Sequence, residues 1–220
     1  CLKAVDDASL EVGEGRIIAL IGPNGAGKTT LFACIAGFQS INAGRVEFCG
    51  KDISGRPVHE IARQGMVRTF QITQPFAKLT VHENIAVGAY QKFHDRDEAW
   101  EHARRVADQV GMVQSLDQPA ADLTVAGRKR LELARTLATG PKLLLLDEVM
   151  AGLNPSEIID IIAIIQKIRA SGVTVLLIEH VMQAVMSLSE HIYVLSYGKI
   201  IANGAPHEVV NDPAVIEAYL

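Results

Sequence analysis

Residues 16–30 read RIIALIGPNGAGKTT, and no other stretch narrows the possible folds as far. The short apolar run RIIALIG has the character of a strand covered on both faces. It opens directly into GPNGAGKTT, which satisfies the pattern G-x-x-x-x-G-K-[ST] with Gly22, Gly27, Lys28 and Thr29 in the required places. A helical stretch, TTLFACIAGF, follows and breaks at Gly37. Glycines let the backbone close around an anion, while amides and the next helix N-terminus supply positive potential. Lys28 is then expected on the β- and γ-phosphates and the Thr29 hydroxyl on Mg2+. A Gly-rich turn with an incidental lysine needs neither the strand before it nor the helix after it. The context therefore favours a nucleotide-phosphate site formed by Gly22, Pro23, Asn24, Gly25, Ala26, Gly27, Lys28, Thr29 and Thr30.

The rest of the chain supplies strands and helices in alternation. RVEFCG (45–50) reads as a short strand. VHENIAVGAYQKF and DEAWEHARRVADQVGMV have apolar positions recurring at three and four, which predicts helices. KLLLLDE (142–148) returns to strand character, followed by the long helix SEIIDIIAIIQKIRAS. There Ile158, Ile161, Ile162, Ile165 and Ile168 share a face, with Ile159 and Ile164 widening the stripe. Pro155 suits its first turn and Gly172 its end. VTVLLIEH, a helix from about Val181 to Leu188, and the strands HIYVLS and KIIANG complete the order. The alternation argues for an α/β sheet, largely parallel in its middle.

KLLLLDEV ends its strand on two carboxylates, Asp147 and Glu148. Neighbouring strand residues face opposite ways, but where the chain turns both can reach one site. Beside a phosphate loop, an Asp after four apolar residues orients Mg2+, and a second carboxylate can polarise the attacking water as general base. Two solvated charges at a strand exit would be the reading without that loop.

Composition excludes several functions. Apolar residues make up 49% of the chain, yet no run approaches the ~20 residues that span a bilayer. The net charge of −4 argues against an extended nucleic-acid footprint. The cluster Arg128–Lys129–Arg130 reads as a solvated helix face. Cys1, Cys34 and Cys49 have neither a paired framework nor metal-ligand spacing, and two of them read as small buried hydrophobes in a reducing compartment. No signal peptide is evident, and the chain opens on Cys rather than Met, so native residues are expected to precede it.

The order of phosphate loop, Gln before a helical stretch, Leu-hydroxyl segment, LLLLDE and a His after a strand resembles the ATP-binding-cassette (ABC) ATPases. The narrower pattern in VRTFQ (67–71), LTVHENIAVG (79–88), MAGLNPSE (150–157), IEHVMQAVM (178–186) and ANGAPHEVVNDPAVIEAYL is similar to the ATP-binding subunits of branched-chain amino-acid uptake transporters. The same resemblance leaves room for close relatives acting on urea or short amides. The resemblance implies an α/β P-loop NTPase fold, an ABC-ATPase core with a mixed sheet plus an inserted helical subdomain. Residues 1–71 and 136–220 would form the core and 72–135 the subdomain. It implies ATP and Mg2+ as cofactors, with Thr29, Asp147 and Gln71 on the metal. By the same resemblance Glu148 is the catalytic base, Gln71 contacts Mg2+ and the attacking water, and His180 contacts the γ-phosphate. His180 lies 32 residues after Glu148 across one helix.

ADLTVAGRKRLELAR (121–135) overlays the family's signature segment with departures. Thr124 keeps a hydroxyl, Val125 stands at a variable position, Ala126 replaces a Gly and Gly127 replaces a Gln. Ala126 is tolerable where φ stays negative and harmful where φ must be positive. Thr124–Gly127 would contact the γ-phosphate held by a partner subunit. Asn154 stands where an Asp usually reaches the opposing phosphate site, and Val149 where Pro is common. The family's adenine-stacking aromatic would fall at or before Cys1. Residues 1–10 hold no aromatic, leaving Val5 as a weaker contact. The implied partners are a second ABC ATPase subunit, as homo- or heterodimer, transmembrane permease subunits and, indirectly, an extracytoplasmic solute-binding protein, with no nucleic acid. The implied place is peripheral, on the cytoplasmic face of the membrane. A regulatory module whose altered signature no longer supports hydrolysis is the alternative, and an ABC-type ATPase acting on DNA or ribosomes lacks the basic tracts it would need.

Overall fold

The structure is a computed structural model that describes residues 3–69 and 74–219. In chain order, β1 (Ile17–Ile21) leads into α1 (Lys28–Ile35), followed by the small antiparallel pair β2 (Glu47–Phe48) and β3 (Lys51–Asp52). Next come α2 (Val58–Gln64), β4 (Met66–Arg68), α3 (Val81–Ala89), α4 (Arg96–Gln109) and α5 (Val125–Ala138). The second half runs β5 (Leu143–Asp147), α6 (Pro155–Ala170), β6 (Thr174–Ile178), α7 (Met182–Leu188), β7 (His191–Ser196) and β8 (Lys199–Gly204). It closes with α8 (Pro206–Val209) and α9 (Pro213–Tyr219).

The main sheet has the order β4-β5-β6-β1-β7-β8, parallel throughout except for the antiparallel edge pair β7–β8. The sheet is therefore mixed, with the parallel middle that the alternation of strands and helices predicted. Those runs lack polar alternation because both faces are covered. Ile17, Ala19 and Ile21 of β1, Leu144 and Leu146 of β5, and Val175 and Leu177 of β6 enter one core with α3, α4, α5, α6 and α7. The alternate residues Ile18, Leu20, Leu143, Leu145, Leu176 and Ile178 enter a second core with Leu31, Phe32 and Ile61 of α1 and α2.

Helices α3, α4 and α5 pack against one another between β4 and β5 in sequence. Thr80 caps α3 in a capping box with Glu83, and Asp95 caps α4 through the amides of Asp97 and Glu98. Both helices are shorter than their periodicity predicted, and α5 continues to Ala138. The strand expected over 45–50 shrinks to Glu47–Phe48, because Cys49 and Gly50 take positive φ and turn the chain. Cys49 is exposed, which corrects its reading as a buried hydrophobe; Cys34 is half-buried, and Cys1 lies outside the described residues. On α6 the buried face is Ile161, Ile164, Ile165 and Ile168, whereas Ile159 is 58% exposed and falls outside the stripe.

No helix among the described residues is long and apolar enough to cross a membrane.

Candidate functional site

Parallel strands aligned in register bring their C-terminal ends to one edge. Leu20 and Asp147 both pair with Ile178, so Gly22, Asp147, Glu148 and His180 all leave the sheet side by side. Such an edge is where open α/β sheets bind ligands. A cavity of about 360 Å3 opens there, lined by Asn24 through Thr30, Glu148, Tyr197, Gly198, Lys3 and Ala4. A larger groove of about 2130 Å3 lies between the N-terminal segment and residues 39–49; none of Gly22–Lys28, Asp147, Glu148 and His180 lines it.

The phosphate loop is fitted tightly to its neighbours. Gly22 has φ +150°, and a Cβ there would sit 2.0 Å from the Leu195 carbonyl oxygen. Gly27, the N-cap of α1, has φ +104°, and a Cβ there would sit 2.2 Å from the Ala4 carbonyl oxygen. Only glycine lets the chain pass at both places. From Gly27 the chain enters α1, whose first amides have no intrahelical partner and face an incoming anion. The Lys28 ammonium donates to the carbonyls of Gly22 (2.8 Å) and Pro23 (3.0 Å), which uses two of its three N–H bonds. Burial lowers its pKa, opposed by the charges of Glu148 and Asp147. Thr29 is exposed in the first turn of α1.

Asp147 closes β5 fully buried. Its Oδ2 accepts from Arg68 Nη2 at 2.6 Å, and its amide donates to Thr69 Oγ1 at 3.1 Å. Its Oδ1 is buried with no partner among the described residues. An orphaned carboxylate oxygen is costly unless something fills that place. One carboxylate and one hydroxyl, Asp147 and Thr29, suit a Mg2+ ion that keeps its remaining ligands on phosphate and water. No group of three or more His, Cys, Asp or Glu able to hold a metal occurs among the described residues.

Glu148 adopts φ +51°, a left-handed conformation rare outside glycine. That turn lets two consecutive carboxylates serve one edge. His180 Nε2–H donates to Glu148 Oε1 at 2.8 Å. The structure thus brings Glu148 and His180 together. Glu179, between β6 and His180, points inward instead; it is 3% exposed and accepts the Met150 amide at 3.0 Å. Burial pushes its carboxyl up to about 7, against the stabilising amides of Met150 and His180.

Thr124–Gly127 lie elsewhere, at the N-terminus of α5, and do not line the cavity of their own chain. Thr124 Oγ1 accepts from the Gly127 amide at 3.1 Å, and Thr124 and Val125 are exposed. Ala126 is helical with negative φ, so its methyl is tolerated. Asn154 caps α6, its Oδ1 accepting from the Glu157 amide (3.0 Å) and from Ser156 Oγ (2.7 Å). Asn serves this cap as well as Asp does. Gln71 lies outside the described residues.

Four residues escaped the sequence reading. Arg68 looked like one charge in VRTFQ. Lys129 looked like part of a solvated face, but it is 7% exposed and donates to the Glu148 carbonyl at 3.3 Å. It falls on the buried stripe Ala126–Lys129–Leu133–Leu137, a spacing that would have placed it. Arg130 of the same cluster pairs with Asp160 at 2.6 Å rather than with solvent alone. Tyr197, in the β7–β8 turn, reaches the cavity from a distant part of the chain.

The comparisons agree with this geometry. A family model described as ABC transporter matches residues 5–151, and one described as branched-chain amino acid ATP-binding cassette transporter matches residues 199–220. The chain is 40% identical over 235 residues to the high-affinity branched-chain amino acid transport ATP-binding protein BraF of Pseudomonas aeruginosa, covering 100% of this chain and 92% of that protein. The same identity and coverage hold for LivG of Salmonella typhimurium, which carries the same description. A crystal structure of a nucleotide-free ATP-binding cassette from an ABC transporter matches with TM-score 0.91 at 35% identity, covering 100% of this chain and 93% of that one. The ADP conformation of an ATP-binding cassette of an ABC transporter matches with TM-score 0.89 at 34% identity, covering 98% and 92%.

Proposed function

The chain belongs to the ABC transporter family of ATP-binding cassettes, and on that premise we propose that it binds and hydrolyses ATP to drive uptake of branched-chain amino acids. The observation that carries the reading is the alignment of phosphate loop, Asp147 and the Glu148–His180 pair along one sheet edge. The similarity to BraF and LivG and the C-terminal match at 199–220 support the solute class.

The first amides of α1 and the third N–H of Lys28 bind the β- and γ-phosphates. Thr29 and Asp147 would hold Mg2+, which neutralises charge on the phosphate oxygens. Glu148, fixed by His180, accepts the proton of a water whose oxygen attacks the γ-phosphorus as the bond to the β-γ bridging oxygen breaks. His180 also stands near the γ-phosphate, in position to report its presence. Positioning and charge neutralisation do most of the work, since phosphoryl transfer needs little covalent help.

Thr124–Gly127 and Asn154 act in trans. Because Thr124–Gly127 do not line their own chain's cavity, they are free to cap the γ-phosphate held by a second ATPase subunit. Thr124 has already accepted one bond, but its O–H remains a donor for phosphate. Binding then closes the pair and hydrolysis opens it. Residues 72–135 form the arm that passes this motion to permease subunits at the cytoplasmic membrane face; Phe76, Val87 and Tyr90 are exposed there as apolar contact surface.

The test is ATP turnover of the chain assembled with its permease and solute-binding partners in vesicles. Leucine, isoleucine or valine should accelerate turnover, and urea or acetamide should not. Acceleration by urea instead would move the solute assignment. ATP binding without turnover in the complete assembly would establish the regulatory alternative.

A further inference from the structure

Lysine is a costly residue to bury, because its ammonium gives up hydration unless a partner replaces it. Yet Lys129 lies on the buried stripe of α5, 7% exposed, in the second turn of the helix that Thr124 caps. The partner it finds is the backbone of the candidate base: its ammonium donates to the Glu148 carbonyl at 3.3 Å.

Glu148 sits where such support is needed. Its φ of +51° is strained for a residue with a side chain, and a conformation of that kind persists only where its surroundings fix it. The Glu148 amide donates to the Ile178 carbonyl (3.0 Å), and the Ala151 amide donates to the Glu148 carbonyl (3.2 Å). The Met150 amide donates to Glu179 Oε1 at 3.0 Å, so the carboxyl that precedes His180 holds the same turn. Those three contacts come from the end of β6 and from the turn itself. Lys129 adds a fourth from α5, the helix whose N-terminus carries Thr124–Gly127. Its charge also reaches Glu179: burial raises the Glu179 pKa, and Lys129 is among the groups that oppose the rise.

We propose that Lys129 is a positioning residue for the base, fixing the backbone of Glu148 and tying it to the helix end that meets a second subunit's nucleotide. The inference rests on the ATPase reading above and adds the link between its cis and trans halves. A helix rises about 1.5 Å per residue, so Thr124 and Lys129 stand about 7.5 Å apart along one rigid rod. When Thr124–Gly127 dock on phosphate, α5 is held, and through Lys129 the turn that aims Glu148 at water is held with it. A misplacement of about 1 Å can cost roughly a hundredfold in rate. A lysine that only packed α5 against the sheet would support folding and leave the chemical step alone.

The test uses the chain assembled with its permease and solute-binding partners, and reads ATP affinity and turnover at saturating ATP. Lys129→Met keeps the length and loses the donor. It should lower turnover about 10- to 100-fold with ATP affinity within about threefold, and Lys129→Arg should restore most of the rate. In the Glu148→Gln background, Lys129→Met should change the residual turnover by less than about twofold, because residues that act as a unit are not additive. Where Lys129→Met alone does not assemble, adding Glu179→Gln removes the neighbouring carboxylate charge, and the same loss is expected relative to Glu179→Gln. Native turnover in Lys129→Met would overturn the proposal, as would a parallel loss of affinity and turnover, or an equal fold-loss with and without Glu148→Gln. A native assembly that does not turn over ATP would overturn the ATPase reading itself, and this inference with it.

Discussion

Arg68 reaches from β4 to the end of β5 and donates its Nη2–H to Asp147 Oδ2 at 2.6 Å, with the carboxylate wholly buried. The guanidinium stacks over Phe32 and Phe38, at 6.0 and 5.8 Å from the ring centroids. One carboxylate oxygen is thereby fixed, and the other, Oδ1, is buried with no partner among the described residues. Arg68→Met strands a buried charge, and urea unfolding should show a loss of about 3–5 kcal/mol. Adding Asp147→Asn to that variant removes the stranded charge and should recover part of the loss. A single-variant loss below ~1 kcal/mol, the value of an exposed pair, would contradict the arrangement.

Glu179 makes stability depend on pH in a defined window. Its folded pKa of about 7 stands above the ordinary 4.5 because burial penalises the carboxylate. Below about pH 4.5 it is protonated folded and unfolded, and costs nothing. From there to about pH 7 the unfolded chain releases its proton while the folded chain keeps it, so stability falls, then levels off. Glu179→Gln keeps the acceptor for Met150 and removes the titration. Its advantage over the native chain should grow across that window toward about 3 kcal/mol. A difference independent of pH would refute the assignment.

Thr124 has two tasks that separate by measurement. As N-cap of α5 its replacement by Ala should cost about 1 kcal/mol of stability. As a phosphate donor in trans, the same change should weaken ATP-driven association of two subunits in ultracentrifugation, with Thr124→Ser restoring both. Unchanged association would leave the residue a cap and nothing more.

Gly27→Ala tests the fit of the phosphate loop. The new methyl meets the Ala4 carbonyl at 2.2 Å in a backbone with φ +104°. Strain on the order of 2 kcal/mol should appear in unfolding, and ATP affinity should fall at least tenfold. Native-like affinity would mean the loop has more room than its contacts indicate.

Much of the fold was legible because its signals were local. GPNGAGKTT between a strand and a helix, and LLLLDE at a strand end, state their own contexts, and the register of the parallel strands then sets them side by side. The less legible parts depend on tertiary contacts. Arg68 looks like any strand-end charge until Asp147 lies across from it. Tyr197 meets the phosphate loop only because the hairpin folds back onto Ala26. The conformation of Glu148, φ +51°, has no mark in its residue type, since glutamate gives no hint of a left-handed turn. Lys129 was legible in principle: its helical spacing places it on the buried face, but its charge argued the other way.

The most direct test of a hydrolysing site is Glu148→Gln, measured for ATP affinity and turnover in the assembled complex. Gln keeps the shape and the contact to His180 but cannot accept the proton from water. ATP affinity should stay within about threefold, while turnover falls by roughly 10²–10⁴. Turnover equal to that of the native chain, with ATP still bound, would contradict the assignment of Glu148 as the base.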